Sequence, residues 1–383
     1  MLKYDHFTSE HEMFRQQLRR FVETELAPNA ERWEEEGLVD RWVFEKMGKL
    51  GFLGANFPEE DGGSGGDYWY AVARAEELPG CGSGGVVMGL LVQSDMATPI
   101  ISKIGTKAQK EEFLKPALRG EKIGAICVTE PGAGSDVANI QTWARKDGSD
   151  YIINGEKTYI TNGTRADFLT MAVRTNREVS GYAGISFIMV PAKTKGVTVS
   201  KKLKKLGHKA SDTALLSFED VRVPQKYLLG EENHGFLHIM QNFQGERLIG
   251  AVGSVAGAQR VLDGTITWCK ERKAFGRPLS GFQVTRHKLV DLQTNIDVAR
   301  AFVYKVCDAF NKGEDCTREV SEAKLFAGEM AVRNVDDCLQ LFGGAGFIEE
   351  YPVARAYRDT RLITIGGGTS QIMKEIISKL MGL

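Results

Sequence analysis

A glycine-rich segment in the middle of the chain carries the residue types and spacing best suited to holding a ligand. It reads Cys127-Val-Thr-Glu-Pro-Gly-Ala-Gly-Ser-Asp136. Because glycine has no side chain, the backbone N–H groups of Gly132, Gly134 and Ser135 can point into one concavity, which suits an anion or the polar edge of a heterocycle. The segment lacks the Lys-Ser/Thr pair of a P-loop and does not lie in a βαβ pattern, so the sequence excludes both common nucleotide-binding motifs here.

The overall composition excludes several functional classes. The chain has 383 residues, 26% of them charged, and a formal net charge of −1, which argues against a nucleic-acid binder that works through whole-chain charge. The six cysteines and six histidines are dispersed without zinc-ligand spacing, so we expect reduced thiols and no metal site. No apolar stretch approaches the roughly 20 residues of a membrane span, and the N-terminus resembles no targeting signal. We therefore expect a cytoplasmic bacterial protein without a transmembrane segment, or a mitochondrial matrix protein only if a transit peptide has been removed.

The spacing of apolar residues changes twice along the chain. Residues 1–121 and 231–383 repeat apolar positions every three or four residues, as amphipathic helices do, whereas residues 122–230 have a strand-like pattern. We predict an α+β multi-domain fold with an N-terminal helical domain (1–121), a middle β-barrel or sandwich domain (122–230) and a C-terminal four-helix bundle (231–383).

Several strands are predicted within the middle region. Asn154-Gly155 between two apolar runs predicts a hairpin turn. The continuous apolar run from Ile185 to Val190, followed by Pro191, predicts a buried strand. Residues 213–218 and 221–223 predict two further short strands.

Further segments of the chain repeat a set of known signatures in a fixed order. They are Tyr159-Ile-Thr-Asn-Gly163, Leu206-Gly-His-Lys-Ala-Ser-Asp-Thr213 with Phe218-Glu-Asp-Val-Arg-Val-Pro224, Arg272-Lys-Ala-Phe-Gly276 with Phe282-Gln283, Gln340-Leu-Phe-Gly-Gly344, and Gly368-Thr-Ser-Gln-Ile372. Together with the glycine-rich segment, they resemble the acyl-CoA dehydrogenase family, flavoproteins that introduce an α,β double bond into acyl-CoA thioesters. The resemblance covers essentially the whole chain, and it implies the same helical, β, helical order.

The resemblance implies FAD as the cofactor. Thr129 would hydrogen-bond the pyrimidine side of the isoalloxazine ring, and Thr161 would serve the region around N5. Tyr159 would cover the ring, at a position where the family more often has tryptophan. Gly134 and Ser135 would approach the flavin and its phosphates. The full set assigned to FAD is Cys127, Val128, Thr129, Gly134, Ser135, Tyr159, Thr161, Arg272, Phe275, Gln283, Gln340, Gly343, Gly344, Thr369 and Gln371.

Part of this set would serve a neighbouring subunit in the family's assembly. Arg272, Phe275, Gln283, Gln340 and Gly344 would reach the FAD of another copy of the chain. The resemblance therefore implies a homotetramer built as a dimer of dimers.

The sequence departs from the family pattern at the catalytic base. Most members have a glutamate in a Tyr-Glu-Gly-Thr sequence, but here the stretch reads Ile365-Gly-Gly-Gly-Thr369, with Gly367 at the glutamate position. A minority of the family, the long-chain and isovaleryl types, places the base on the first helix of the C-terminal domain just before an arginine, and Glu246-Arg247 matches that pattern. We predict that Glu246 takes the α-proton. The resemblance also implies that the Gly367 N–H and the FAD ribityl 2′-hydroxyl hold the thioester oxygen. The alternative is that Glu246 is a structural ion-pair partner.

The missing side chains also suggest a wide acyl pocket. Gly366 replaces a tyrosine usual at that position, so methyl-branched substrates, including terpenoid-derived ones, are plausible beside long straight chains. Ser135, Arg247, Gly366 and Gly368 are assigned to substrate contact. The alternative is that the glycines form a hinge opening the last helix.

The resemblance implies a complete reaction. An acyl-CoA would be converted to the trans-2-enoyl-CoA, and the electrons would pass to an electron-transferring flavoprotein. Two alternatives stay open at this point. One is an acyl-CoA oxidase that uses oxygen, and the other is a catalytically silent homologue that binds flavin or acyl-CoA.

Overall fold

The computed structural model describes residues 6–179 and 181–383. The first region of the chain is helical. The helices of the first region are α1 (Ser9–Phe21), α2 (Ala30–Glu36), α3 (Arg41–Lys49), α4 (Tyr68–Glu77), α5 (Gly84–Leu91), α6 (Pro99–Ile104), α7 (Lys107–Gln109) and α8 (Lys115–Leu118). The hydroxyls of Thr8 and Ser83 accept hydrogen bonds from N–H groups three residues onward, which explains why α1 and α5 begin where they do.

The middle region forms one eight-stranded sheet. Its strands are β1 (Gly124–Cys127), β2 (Trp143–Asp147), β3 (Asp150–Thr161), β4 (Phe168–Arg174), β5 (Ile185–Pro191), β6 (Val197–Lys202), β7 (Thr213–Pro224) and β8 (Leu228–Leu229). Their order is β6-β7-β3-β2-β4-β5-β8, and β1 pairs in parallel with β4. The predicted buried strand is confirmed as β5.

Two sequence predictions in this region are wrong. Asn154-Gly155 does not turn the chain, because β3 continues through it and the turn lies instead at Gly148, whose φ is +59°. Gly155 sits at a register shift against β7, with φ +141°, and a Cβ there would lie 2.6 Å from Thr142 Cα. The side-chain amide of Asn154 donates to the Asp220 carboxylate on β7 at 3.1 Å, and its oxygen accepts the main-chain N–H of Asp220 at 2.9 Å. The dipeptide thus forms an irregularity within a strand pair and not a hairpin.

The second wrong prediction concerns residues 213–218 and 221–223. These are a single strand, β7, which stays paired to β3 on both sides of Asp220. Asp220 absorbs the irregularity with a φ of +47°, a conformation that aspartate tolerates better than most residues.

The last region is helical again. It contains α9 (Gly235–Glu271), a small hairpin of β9 (Lys273–Ala274) and β10 (Arg277–Pro278), and then α10 (Gln283–Asn311), α11 (Thr317–Phe342), α12 (Pro352–Thr360) and α13 (Ser370–Leu380). The helical, sheet, helical order confirms the predicted fold class.

The two helical regions share one hydrophobic core. Trp33, Phe44 and Leu90 from the first region belong to the same buried cluster as Ile249 on α9 and Val303 on α10. A separate cluster fills the sheet region. Because α5 and α9 belong to one packed core, residues on them keep a fixed relation to each other.

One helical stretch among residues 6–179 and 181–383 is long and apolar enough to cross a membrane. It runs from Gly84 to Ile104 with a mean hydropathy of 1.3. In the fold, 78% of this window is buried, so packing against protein accounts for its apolar side chains.

Candidate active site

The glycine-rich segment is a tight loop at the end of β1. Glu130 and Ala133 exchange two main-chain hydrogen bonds of 3.1 Å, which closes the loop. Gly134 and Ser135 are exposed, and a Cβ at Gly134 would meet nothing within 4 Å. The loop therefore presents bare main chain to the space in front of it. This is the property that the sequence predicts for it.

Two residues assigned to the cofactor do not point their side chains toward this space. Cys127 is completely buried and Val128 is 6% exposed, and both belong to the core of the sheet region. Cys127 ends β1 paired with Met171 of β4. If these two residues contact the cofactor as predicted, they do so mainly through their main chain.

A buried ion pair that the sequence does not reveal supports the loop from behind. Lys157 on β3 is fully buried, and its ammonium donates to Glu130 Oε1 at 2.7 Å and to the Val128 carbonyl at 2.9 Å. The Glu130 carboxylate also accepts the N–H groups of Gln141 and Thr142. These bonds link the loop to β3 and to the start of β2, so they hold it in one conformation.

The next two predicted residues lie on β3 beside this loop. The Thr158 N–H donates to the Thr129 carbonyl at 2.9 Å, which joins the strand to the loop. Tyr159 has a φ of +59° and is 69% exposed, whereas Thr161 is half-buried. A non-glycine residue in the left-handed region is strained, and such strain clusters at functional sites. The structure thus presents an aromatic ring and a hydroxyl next to bare main chain.

A second group of predicted residues meets where α9 faces the glycine run before α13. A Cβ built on Gly367 would lie 3.8 Å from Glu246 Oε1. Arg247 donates from Nε to the Gly367 carbonyl at 3.1 Å. Glu246 therefore lies where a side chain at position 367 would begin. This arrangement is expected if Glu246 supplies the carboxylate that most of the family carries at the position of Gly367.

Glu246 forms no salt bridge with any residue that the structure describes. Its Oε2 is buried and has no hydrogen-bond partner among the described residues. Burial raises the pKa of this carboxyl to about 7, against the opposing effect of the positive charges of Arg247 and Lys324. A half-buried carboxyl with one buried oxygen that has no hydrogen-bond partner among the described residues, and with a pKa near neutrality, is suited to accepting a proton from a weak acid. The arrangement argues against the alternative that Glu246 is a structural ion-pair partner.

At two of the three positions in the glycine run, the backbone conformation explains why the residue is glycine. Gly367 and Gly368 have φ values of +64° and +100°, and a Cβ at Gly368 would lie 2.6 Å from Met373 Cε. Gly366 has no positive φ, and a Cβ there would only reach ordinary contact with Leu362, at 3.7 Å. The backbone conformation thus favours glycine at 367 and 368, while nothing in the backbone requires glycine at 366.

The residues after this run begin the last helix. The Thr369 hydroxyl accepts the N–H of Ile372 at 3.2 Å and so caps α13. Gln371 follows in the first turn with an exposed side chain. The sequence assigned both to the cofactor, and the capping bond gives Thr369 an additional structural role.

The nearest carboxylate that precedes the glycine run is occupied elsewhere. Asp359 on α12 is 7% exposed, and its two oxygens accept the N–H groups of Gly84 at 2.9 Å and His208 at 2.5 Å. It thereby joins all three regions of the chain. A carboxylate that holds two amides is not free to act as a base, which leaves Glu246 as the candidate.

The remaining predicted residues lie on the outside of the C-terminal region. They are Arg272, Phe275, Gln283, Gln340, Gly343 and Gly344, and all are exposed. Phe275, at the tip of the β9–β10 hairpin, is 96% exposed with a φ of +51°. Within the described ranges, no hydrogen bond joins this group to the glycine-rich loop. An aromatic ring displayed in this way is available to another molecule and contributes nothing to the core of its own chain.

Comparison with known proteins gives the same division of the chain. The family models for the N-terminal, middle and C-terminal domains of acyl-CoA dehydrogenase match residues 8–121, 125–221 and 233–382. The long-chain specific acyl-CoA dehydrogenase of rat mitochondria is 43% identical over 97% of this chain and 86% of its own length.

Solved structures agree with the sequence comparison. A probable acyl-CoA dehydrogenase from Mycobacterium abscessus superposes with a TM-score of 0.95 at 45% identity, over 98% of this chain and 99% of its own. A glutaryl-CoA dehydrogenase from Mycobacterium smegmatis, solved in complex with FADH2, has a TM-score of 0.91 at 29% identity, over 98% of this chain and 96% of its own. Matches of this extent cover all three regions and the order in which they occur. The chain therefore belongs to the acyl-CoA dehydrogenase family, FAD-binding oxidoreductases that act on acyl-CoA thioesters.

Proposed function

We propose that this protein oxidises an acyl-CoA to its trans-2-enoyl-CoA with Glu246 as the base. The observation that carries the proposal is the buried, unpartnered Glu246 Oε2, in a side chain whose other oxygen is 3.8 Å from the Cβ that Gly367 lacks. Removal of the pro-R α-proton by this carboxylate would leave negative charge on the thioester oxygen. Within the described residues the Gly367 N–H has no acceptor, so it is free to donate to that oxygen.

The residues assigned to FAD fit such a group. The loop offers exposed main chain at Gly134 and Ser135, and the neighbouring strand offers the half-buried Thr161 hydroxyl and the exposed ring of Tyr159. Bare main chain suits phosphate and heterocycle edges, and an open aromatic face suits a planar ring. When bound, FAD supplies the acceptor for the two electrons that leave the substrate with the β-hydrogen.

The direct test is anaerobic bleaching of the flavin by a panel of acyl-CoA thioesters. We expect rapid bleaching by at least one member of the panel. A purified holoprotein whose flavin no thioester bleaches would instead be the silent homologue. Peroxide formation during aerobic turnover would identify the oxidase.

The rate of this reaction should depend on pH through Glu246. Because the pKa of Glu246 is about 7, the carboxyl is protonated at lower pH and cannot accept the α-proton. We predict that kcat/KM falls about tenfold for each pH unit below that value. Stopped-flow measurement of flavin reduction from pH 5.5 to 9 checks this. A profile that is flat down to pH 5.5 would contradict the role of Glu246.

We propose a long-chain or methyl-branched acyl group as the substrate. Two observations support this: the 43% identity to a long-chain enzyme, and the absence of any backbone reason for glycine at 366. Ser135, Arg247, Gly366 and Gly368 remain our proposed substrate contacts.

Gly366→Tyr tests the width of the pocket. We predict that kcat/KM for a 3-methyl-branched thioester falls about tenfold or more, while straight chains lose about threefold or less, since a misfit of this size costs about 1–3 kcal/mol. Gly366→Ala is the matched control and should change neither. An unchanged ratio of branched to straight rates in the tyrosine variant would count against the wide pocket.

The assembly and the electron acceptor complete the proposal. We propose a cytoplasmic homotetramer, a dimer of dimers, in which the exposed Arg272, Phe275 and Gln283 reach the cofactor of a neighbouring copy. Electron-transferring flavoprotein is the proposed acceptor, supported by homologues linked to it. Light scattering of the holoprotein tests the proposed assembly, and reduction of an added electron-transferring flavoprotein tests the proposed acceptor.

The proposed domain boundaries remain 1–121, 122–230 and 231–383.

A further inference from the structure

Lys324 is a buried lysine on α11. It is 2% exposed and forms no salt bridge with a carboxylate among the described residues. The other deeply buried lysine, Lys157, is paired with Glu130 at 2.7 Å. A buried ammonium is costly to keep without a partner. The position of Lys324 therefore calls for an explanation that core packing does not provide.

The ammonium of Lys324 donates to the carbonyl of Gly368. Arg247 on α9 donates to the preceding carbonyl, that of Gly367, at 3.1 Å. Two cations from two different helices thus hold two consecutive carbonyls. Since Gly367 and Gly368 both have positive φ, this stretch has wide conformational freedom, and the two bonds select one conformation of it.

We propose that Lys324 is a positioning residue for the dehydrogenation, one that fixes the glycine run opposite Glu246 and favours the proton-accepting form of that carboxylate. The inference rests on the proposed function and adds to it a residue on α11. Through the Gly368 carbonyl, Lys324 orients the backbone that carries the Gly367 N–H. Its charge, enclosed in the same low-dielectric site, stabilises the Glu246 anion.

The electrostatics agree with this role. Burial lowers the pKa of Lys324 to about 8, with a further lowering by Arg247 and an opposing effect of Glu246. The ammonium is thus mostly charged at pH 7, and it acts to lower the pKa of Glu246. Glu246 and Arg247 on α9 are the charged groups that act on Lys324 within the described residues, since the glycine run offers no titratable side chain. Removing the Lys324 charge must therefore raise the pKa of Glu246.

Three substitutions separate the hydrogen bond from the charge. Lys324→Met removes both, Lys324→Gln keeps a donor but no charge, and Lys324→Arg keeps the charge. The readout is the pH dependence of anaerobic flavin reduction in the holoenzyme. The matched control is Lys374→Met on α13, an exposed lysine whose nearest carboxylate is Glu329, at 3.6 Å.

We call the fall in the rate of flavin reduction at low pH the acidic limb of the profile. In Lys324→Met we expect the midpoint of this limb to move up by about half to one pH unit and the limiting rate to fall about 10- to 100-fold. Lys324→Gln should show the same shift of the limb with a smaller loss of rate. Lys324→Arg and Lys374→Met should keep the limb of the wild type. If Lys324→Met does not fold, the shift of the acidic limb in Lys324→Gln alone tests the effect of the charge.

Two failures are distinguishable. If no thioester bleaches the wild-type flavin, the proposed function fails. If the wild type is active with an acidic limb, but the limbs of Lys324→Met and Lys324→Gln coincide with it, the inference about Lys324 is overturned. Lower thermal stability of these variants with an unmoved limb would show a purely structural lysine.

Discussion

Replacing Glu246 with glutamine is expected to lower the rate of flavin reduction by acyl-CoA by about 10⁴-fold, the upper range for loss of a general base. The amide has nearly the same shape as the carboxyl but cannot accept the α-proton. Among the described residues, none of those proposed to hold FAD is hydrogen-bonded to Glu246, and its Oε2 has no hydrogen-bond partner. The variant should therefore keep its FAD. Stopped-flow absorbance and the flavin-to-protein ratio measure the two effects.

The stability of this variant provides an internal control. The pKa of Glu246 is raised from the ordinary value of 4.5 to about 7 in the folded protein, so ionisation at higher pH favours the unfolded state. The stability that this group contributes is therefore lost as the pH rises from 4.5 to about 7. We expect Glu246→Gln to melt at the same or a higher temperature than the wild type at pH 8. A variant that melts lower and loses FAD would have lost activity for another reason.

A relocated base would confirm the assignment. Because a Cβ at Gly367 would lie 3.8 Å from Glu246 Oε1, a glutamate at 367 starts close to the point where the present carboxylate ends. We expect Glu246→Gln with Gly367→Glu to recover part of the lost rate, although a side chain at φ +64° is strained. Near wild-type bleaching by the single Glu246→Gln variant would disprove the role of Glu246.

Lys157→Met is expected to cost about 3–5 kcal/mol of folding stability, as other losses of one partner from a buried ion pair do. The substitution leaves the Glu130 carboxylate 6% exposed without its ammonium partner. The glycine-rich loop would then lose the bonds that hold Glu130 and Val128 to β3. We therefore also expect most of the FAD to be lost. Denaturant unfolding and the flavin content of the purified protein measure both.

The double variant Lys157→Met with Glu130→Gln separates the two causes. Removing the second charge should recover a large part of the stability, because no unpaired ion remains buried. FAD retention should recover less, since the bond from Lys157 to the Val128 carbonyl stays absent. If the free energy of unfolding of Lys157→Met alone lies within about 1 kcal/mol of the wild-type value, the structural role of the ion pair is contradicted.

Local sequence patterns predicted the elements well where one pattern had one structural solution. The apolar run of β5 has no charged residue to place in solvent, so it forms a buried strand. Asn154-Gly155 misled because the same dipeptide that closes a hairpin also suits an irregular position within a strand. Which of the two forms depends on the partner strand, and here Asp220 on β7 bonds the Asn154 amide. That partner is remote in sequence, so no local pattern could identify it.

The amino-acid sequence alone is enough to show that the family's usual carboxylate is missing before Thr369 and that Glu246 is followed by an arginine. It also determined the helical, β, helical order, because apolar periodicity decides which face of each element is buried. The position of Glu246 opposite the glycine run could be read only from the folded chain, since Arg247 and Gly367 are 120 residues apart and meet through the packing of α9 against the last helices. Lys324 shows the same limit. Helical spacing puts it on the same face as Val320 and Ala327, but its hydrogen bond to the Gly368 carbonyl follows only from the packing of that face against α9 and the glycine run.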